Sequence, residues 1–220
     1  MGELGAGKTL GLTALSWQHW FNRQERVFSN YHLFGVPYYF IDSVDKLDLI
    51  RDGFLALDEF WRLVDSYYSR SRKTKITADI LARSRKRGLT YCMTAQVMSS
   101  ISPRVRQVLD FTAYPIISTN EQVLKMVIFR GNRGRKENYL KSVYFRTQFQ
   151  YDRYDTNEEV DMEEESGTAF RPMFQAKFKR EHGYGCECEE CGTKFFKTWE
   201  QADAYAEQYW KKNQAELQYA

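Results

Sequence analysis

Gly2-Glu3-Leu4-Gly5-Ala6-Gly7-Lys8-Thr9 decides the reading of this 220-residue chain. It fills every constrained position of the phosphate-cradling pattern G-x-x-x-x-G-K-[ST]. Backbone N–H groups converge on phosphate oxygens only where side chains are absent, which is why glycines space such a loop. In this reading Gly2, Gly5, Ala6 and Gly7 form the cradle with the backbone up to Leu10. Lys8 reaches the β- and γ-phosphates of a nucleotide, and the Thr9 hydroxyl ligates Mg²⁺.

Working outward, apolar spacing predicts a helix from Lys8 to about Arg23, with Leu10, Ala14, Leu15, Trp17 and Phe21 inward. "RVFSNYHL" (26–33) reads as a short buried strand, and "DSVDKLDLI" as a helix capped near Asp42 or Ser43. "GFLALDEFW" (53–61) is an apolar run ending in two acids. A parallel-sheet strand delivers carboxylates to its C-terminal edge in this way. Asp58 there is placed to hold the Mg²⁺ water shell. Glu59 is placed to orient and deprotonate an attacking water. "LTYCMTAQ" (89–96) is a second such strand, ending in Thr94 and in Gln96, a candidate γ-phosphate sensor.

"SPRVRQVLDF" opens a helix with Pro103 in its first turn, and "TAYPIIS" is a further strand. "VLKMVIFRGNRGRKENYLKSVYFRTQFQY" (123–151) reads as a β-hairpin. The strand–helix alternation predicts a doubly wound, mainly parallel α/β core over 1–151. An acidic linker over 152–169 follows, then a small cysteine-bearing appendage with a helix over 170–220.

Composition fits a globular protein: 43% apolar, 28% charged and, unusually, 16% aromatic. The net charge of +3 is unevenly spread: residues 70–87 hold eight bases and one acid, residues 152–165 eight acids and one base. That asymmetry predicts a basic working surface and a solvated acidic connector. No run approaches the roughly 18 apolar residues of a membrane span. A secretory layout is also missing at the start. With Cys92 alone and three cysteines crowded into 186–191, the sequence reads as an intracellular protein with a metal site or reduced thiols.

The order GELGAGKT, FLALDEF, ARSRKRGLTYCMTAQ, ISPRVRQVLDF resembles the FtsK–HerA class of DNA-pumping P-loop ATPases. The likeness is greatest to viral genome-packaging ATPases and to zonular occludens toxin-like phage assembly proteins, and spans about residues 2–160. It implies an ATP- and Mg²⁺-dependent translocase of double-stranded DNA, working as a homo-oligomeric, often hexameric ring. A viral capsid or portal-type vertex is the implied partner, in host cytoplasm or on the virion. A trans-acting arginine is then expected, with Arg83, Arg85, Arg87, Arg104 and Arg106 as candidates and Arg85 and Arg87 preferred. An assembly or export motor is the second reading, and an ATP-inert DNA-binding remnant the third. In this class the loop follows a central strand. Met1 is therefore expected to lie inside such a strand, with the product starting upstream.

Two further stretches carry chemistry. "SRSRKTK" (69–75) reads as a basic loop whose Arg70, Arg72, Lys73 and Lys75 contact DNA phosphates in a ring channel, against the alternative of a solvated loop. "HGYGCECEECGTKFF" holds the tight knuckle Cys188-x-x-Cys191, which with Cys186 and His182 makes a candidate zinc site. A degenerate finger packed by Phe195, Phe196, Trp199 and Tyr205 is the alternative.

Overall fold

The computed structural model describes residues 1, 5–62, 72–118, 120, 122–131, 136–148, 150–160, 162–163, 166–176 and 192–213. Helix α1 (Lys8–Arg23) starts at the loop and ends where Gln24 turns left-handed. There follow β1 (Val27–Ser29), β2 (Tyr38–Phe40), α2 (Val44–Leu49) and β3 (Gly53–Leu57). Next come α3 (Arg72–Ala82), β4 (Leu89–Met93), α4 (Pro103–Gln107), β5 (Phe111–Ile117), β6 (Val123–Arg130) and β7 (Tyr139–Arg146). The chain then adds β8 (Pro172–Phe174), β9 (Lys194–Phe195) and α5 (Trp199–Lys212).

The strands form two sheets. One has the order β4-β3-β1-β2-β8-β9, and the other is β5-β6-β7. Within the first, β4, β3, β1 and β2 run parallel, while β8 and β9 pair antiparallel. Every residue of β3 is buried because both faces are covered. Its alternate residues Phe54 and Ala56 join one apolar core, with α1 and α5. Leu55 and Leu57 join another, with α2, α3 and α4. The mixed α/β expectation, with a mostly parallel sheet and a hairpin, is met at that level.

Several expectations need correction. "TAYPIIS" is a strand, as expected, but the doubly wound sheet does not include it: as β5 it pairs antiparallel with β6 in the hairpin's sheet. Phe21 is 49% exposed, and Trp20, which the helical spacing passed over, is 4% exposed in its place. The part of the basic loop from Arg72 to Lys75 is the first turn of α3. Thr74 in that turn is buried and Lys75 is exposed. Arg70 lies outside the described residues, as do Cys186, Cys188, Cys191 and His182. Among the described residues no three metal-ligating side chains converge.

The acidic connector is not detached either. Val160 and Met162 are buried in the two cores. The Val44 N–H donates to the Glu163 carbonyl at 3.0 Å, and the Glu163 N–H to that of Asp42 at 2.9 Å. Glu158 accepts from the His32 N–H at 2.9 Å. Apolar residues spaced among the acids tie the segment down, which a charge tally misses.

The C-terminal helix is equally integral. The Trp210 ring packs edge-on against Trp17 at 5.1 Å, and its indole N–H donates to the Gly35 carbonyl at 2.8 Å. Gly35 has φ +75°, and a Cβ there would stand 2.7 Å from the Trp210 ring. The Trp20 indole N–H donates to Asp203 at 2.7 Å. These contacts make α5 part of the α1 core. Trp210→Ala is therefore expected to cost the whole chain about 3–5 kcal/mol. Urea unfolding should shift as one transition by tryptophan fluorescence and far-UV CD; a core transition left in place would show a separable appendage.

The β4 edge away from β3 and the β5 edge away from β6 both border a mainly apolar cleft of about 510 Å³. Cys92, Met93, Ala113 and Pro115 line it, with Met1 at the wall. The Met1 amino group donates to the Ala113 carbonyl at 2.8 Å. Burial lowers that amine to a pKa of about 6 and pushes the Cys92 thiol up to about 11.

Candidate nucleotide site

Three neighbouring parallel strands end at one edge of the sheet, and the start of α1 meets them there. Asn30 follows β1, Asp58 and Glu59 follow β3, and Thr94 follows β4. A parallel strand end is where an open α/β sheet places its ligands.

Asp58 is the centre of the arrangement. Its Oδ2 accepts from the Thr9 hydroxyl at 2.8 Å, and its Oδ1 from the Thr94 hydroxyl. Asn30 clamps the backbone of the same residue. Its Oδ1 accepts from the Asp58 N–H at 2.7 Å, and its Nδ2 donates to the Asp58 carbonyl at 2.9 Å. Asp58 is 8% exposed and Asn30 is 3% exposed, so these bonds form away from water. Buried polar groups held on every side cannot wander.

The loop reaches this centre through two left-handed glycines, Gly5 at φ +76° and Gly7 at φ +84°. Gly7 is the N-cap of α1, and its carbonyl accepts from the Gly11 N–H at 2.9 Å. A Cβ on Gly7 would stand 2.8 Å from Leu124 and 2.9 Å from Ile117, so the second sheet also forbids a side chain there. Burial lowers the Lys8 pKa, while the charges of Asp58 and Glu59 act to raise it. The ammonium therefore lies within the field of both carboxylates. Leu10 is 1% exposed in the apolar core, so only its backbone can serve a ligand. Gly2 is outside the described residues.

Glu59 adopts φ +45°, an uncommon angle for a side-chain-bearing residue. Its N–H donates to the Thr94 hydroxyl at 3.0 Å, which fixes that turn. Its carboxylate pairs with Arg62 Nε at 2.9 Å, both side chains about one-third exposed. Arg62 also donates to the Val160 carbonyl at 3.0 Å. Gln96 is exposed, two residues past Thr94.

The arginine candidates are placed as follows. Arg85 pairs with Asp110 at 2.8 Å on the surface. Arg87 pairs with Asp48 at 2.6 Å with its side chain only 11% exposed, and also bonds the Asp48 carbonyl, stapling the 3-10 turn Ser84–Arg87 to the end of α2. Arg83 pairs with Asp79 at 3.1 Å. Arg104 and Arg106 lie on α4.

Sequence reasoning gives Asn30 no site role, and it places Thr94 with Gln96 at a strand end in position to sense a γ-phosphate, without its bond to Asp58. Their signal was modest: one polar side chain just past each buried strand. The Thr9 hydroxyl and Asp58 carboxylate form an all-oxygen donor set of the kind Mg²⁺ takes. Together with a left-handed glycine loop at a helix start, the arrangement suits a magnesium-bound polyphosphate.

No protein-family model matches the chain, and no curated protein matches it. Among solved structures, the chain is similar to the N-terminal domain of zonular occludens toxin from Neisseria meningitidis, with a TM-score of 0.53 at 15% identity. The match covers 70% of this chain and 96% of that one. The likeness is one of fold.

Asn30→Ala removes both bonds to the Asp58 backbone and strands two buried groups. It is expected to cost about 2–4 kcal/mol. Chemical denaturation measures it, and a loss below about 1 kcal/mol would mean that Asn30 is not the clamp.

Proposed function

We propose that the chain binds Mg²⁺–ATP at the α1 start and hydrolyses it to drive a nucleic-acid-handling motor. The observation that carries the reading is Asp58, held between the Thr9 hydroxyl of the glycine loop and the Thr94 hydroxyl of the next strand. Bound Mg²⁺ supplies charge neutralisation at the transferring phosphate. Thr9 and Asp58 would hold it. Lys8 and the loop N–H groups bind the phosphates. Glu59, oriented by its turn and by Arg62, accepts the proton of the attacking water.

Of the motors the sequence resembles, the phage-assembly type is favoured, because the zonular occludens toxin domain supplies the fold likeness. Genome packaging draws no comparable support. Among the described residues no helix is long and apolar enough to cross a membrane. A ring of subunits, with an arginine from a neighbour completing the site, remains part of the proposal.

The test is Mg²⁺–ATP binding and turnover by the chain. Lys8→Ala should abolish detectable binding. Glu59→Gln should keep binding but slow hydrolysis by about 10²–10⁴-fold, since an amide cannot take the proton. Normal turnover in Glu59→Gln would remove Glu59 as the base, and unchanged affinity in Lys8→Ala would remove the cradle.

A further inference from the structure

The second sheet has one face in the core and one in the open. Leu124, Met126, Val143 and Phe145 point inward and belong to the α1 core. Strand alternation sends Tyr114, Lys125, Phe129, Tyr144 and Arg146 to the other side, and the register shift at Ile128/Phe129 sets Tyr139 opposite Phe129 on that side. None of these six belongs to either apolar core. Tyr144 is 63% exposed and Tyr139 is 52% exposed.

These side chains form a connected surface. Phe129 meets Tyr114 edge-on at 5.6 Å and Tyr139 at 6.1 Å. The Lys125 ammonium stands 5.9 Å from the Tyr144 ring centre, directly across the ladder. Beside that pair, Arg146 lies opposite Val123. Strands β5, β6 and β7 contain four bases, Lys125, Arg130, Lys141 and Arg146, and no acid.

We propose that this outer face of β5–β6–β7 is a stacking platform for single-stranded nucleic acid. Rings standing free on a sheet accept unpaired bases, whose faces a duplex keeps stacked on each other. Lys125 and Arg146 meet the phosphates. A second copy of the chain fits the face less well. Two-fold pairing sets a surface against itself, so these cations would meet cations with no acid among them. The platform does not depend on the nucleotide reading, and its test needs no ATP.

The experiment measures fluorescence anisotropy of a labelled 20-nucleotide oligo-dT and of a 20-base-pair duplex with the full chain, at several salt concentrations. Oligo-dT should bind at least ten times more tightly than the duplex. Tyr139→Ser with Tyr144→Ser should weaken oligo-dT binding at least about 20-fold, since each stacked base is worth about 1–3 kcal/mol, with the salt slope unchanged. Lys125→Gln with Arg146→Gln should instead reduce the slope by about 1.4, at about 0.7 per phosphate contact. Equal binding of duplex, no binding of oligo-dT, or full affinity in the tyrosine variant would overturn the platform. So would sedimentation showing a dimer that the tyrosine variant dissolves, since the face would then belong to a second copy.

Discussion

The Asp58 carboxylate, gripped by one hydroxyl from the glycine loop and one from the strand beside it, is the constraint on which the site depends. Through it the start of α1 is referenced to β3 and β4, and through Asn30 to the end of β1. A loop of glycines has little stiffness of its own. Here its far end is pinned by Thr9, and Gly7 is pressed from the other side by Leu124 and Ile117 of the second sheet. The same contacts that exclude a side chain at Gly7 thus hold the loop backbone in place.

The surrounding layers explain why so short a set of strands can serve as a platform. Strands β1 and β2 have three residues each, too few to be stable alone. They persist because β3 is covered on both faces, and because two late segments reach back to close the core. One is the acidic stretch through Val160 and Met162. The other is α5, whose Trp210 and Trp199 join Trp17 and Trp20. Large rings crowd that core, and others stand on the open face of the second sheet.

Helix α1 was legible in outline because a loop motif marks its start and an apolar period follows it. Strands β3 and β4 were legible because continuous apolar runs stop at polar residues. What the sequence hid was pairing. β5 carries a strand composition that fits either sheet, and only its partner decides which. Strand β2 was overlooked since three residues after Pro37 give no period to count. Arg72–Lys75 looks like loop from its charge, yet Ile76, Ile80 and Leu81 continue a helix that the charges merely begin. Asn30 and Thr94 matter through bonds to a residue 28 and 36 positions away, which no local pattern encodes.

The most direct measurement is amide hydrogen exchange of the chain with an ATP analogue, with and without Mg²⁺. The account predicts that Gly5–Thr9 and Asp58–Glu59 slow together, only when nucleotide and metal are both present, and that Thr94→Val weakens the effect at both segments. Protection that ignores Mg²⁺, or that appears at one segment without the other, would contradict a site built on Asp58.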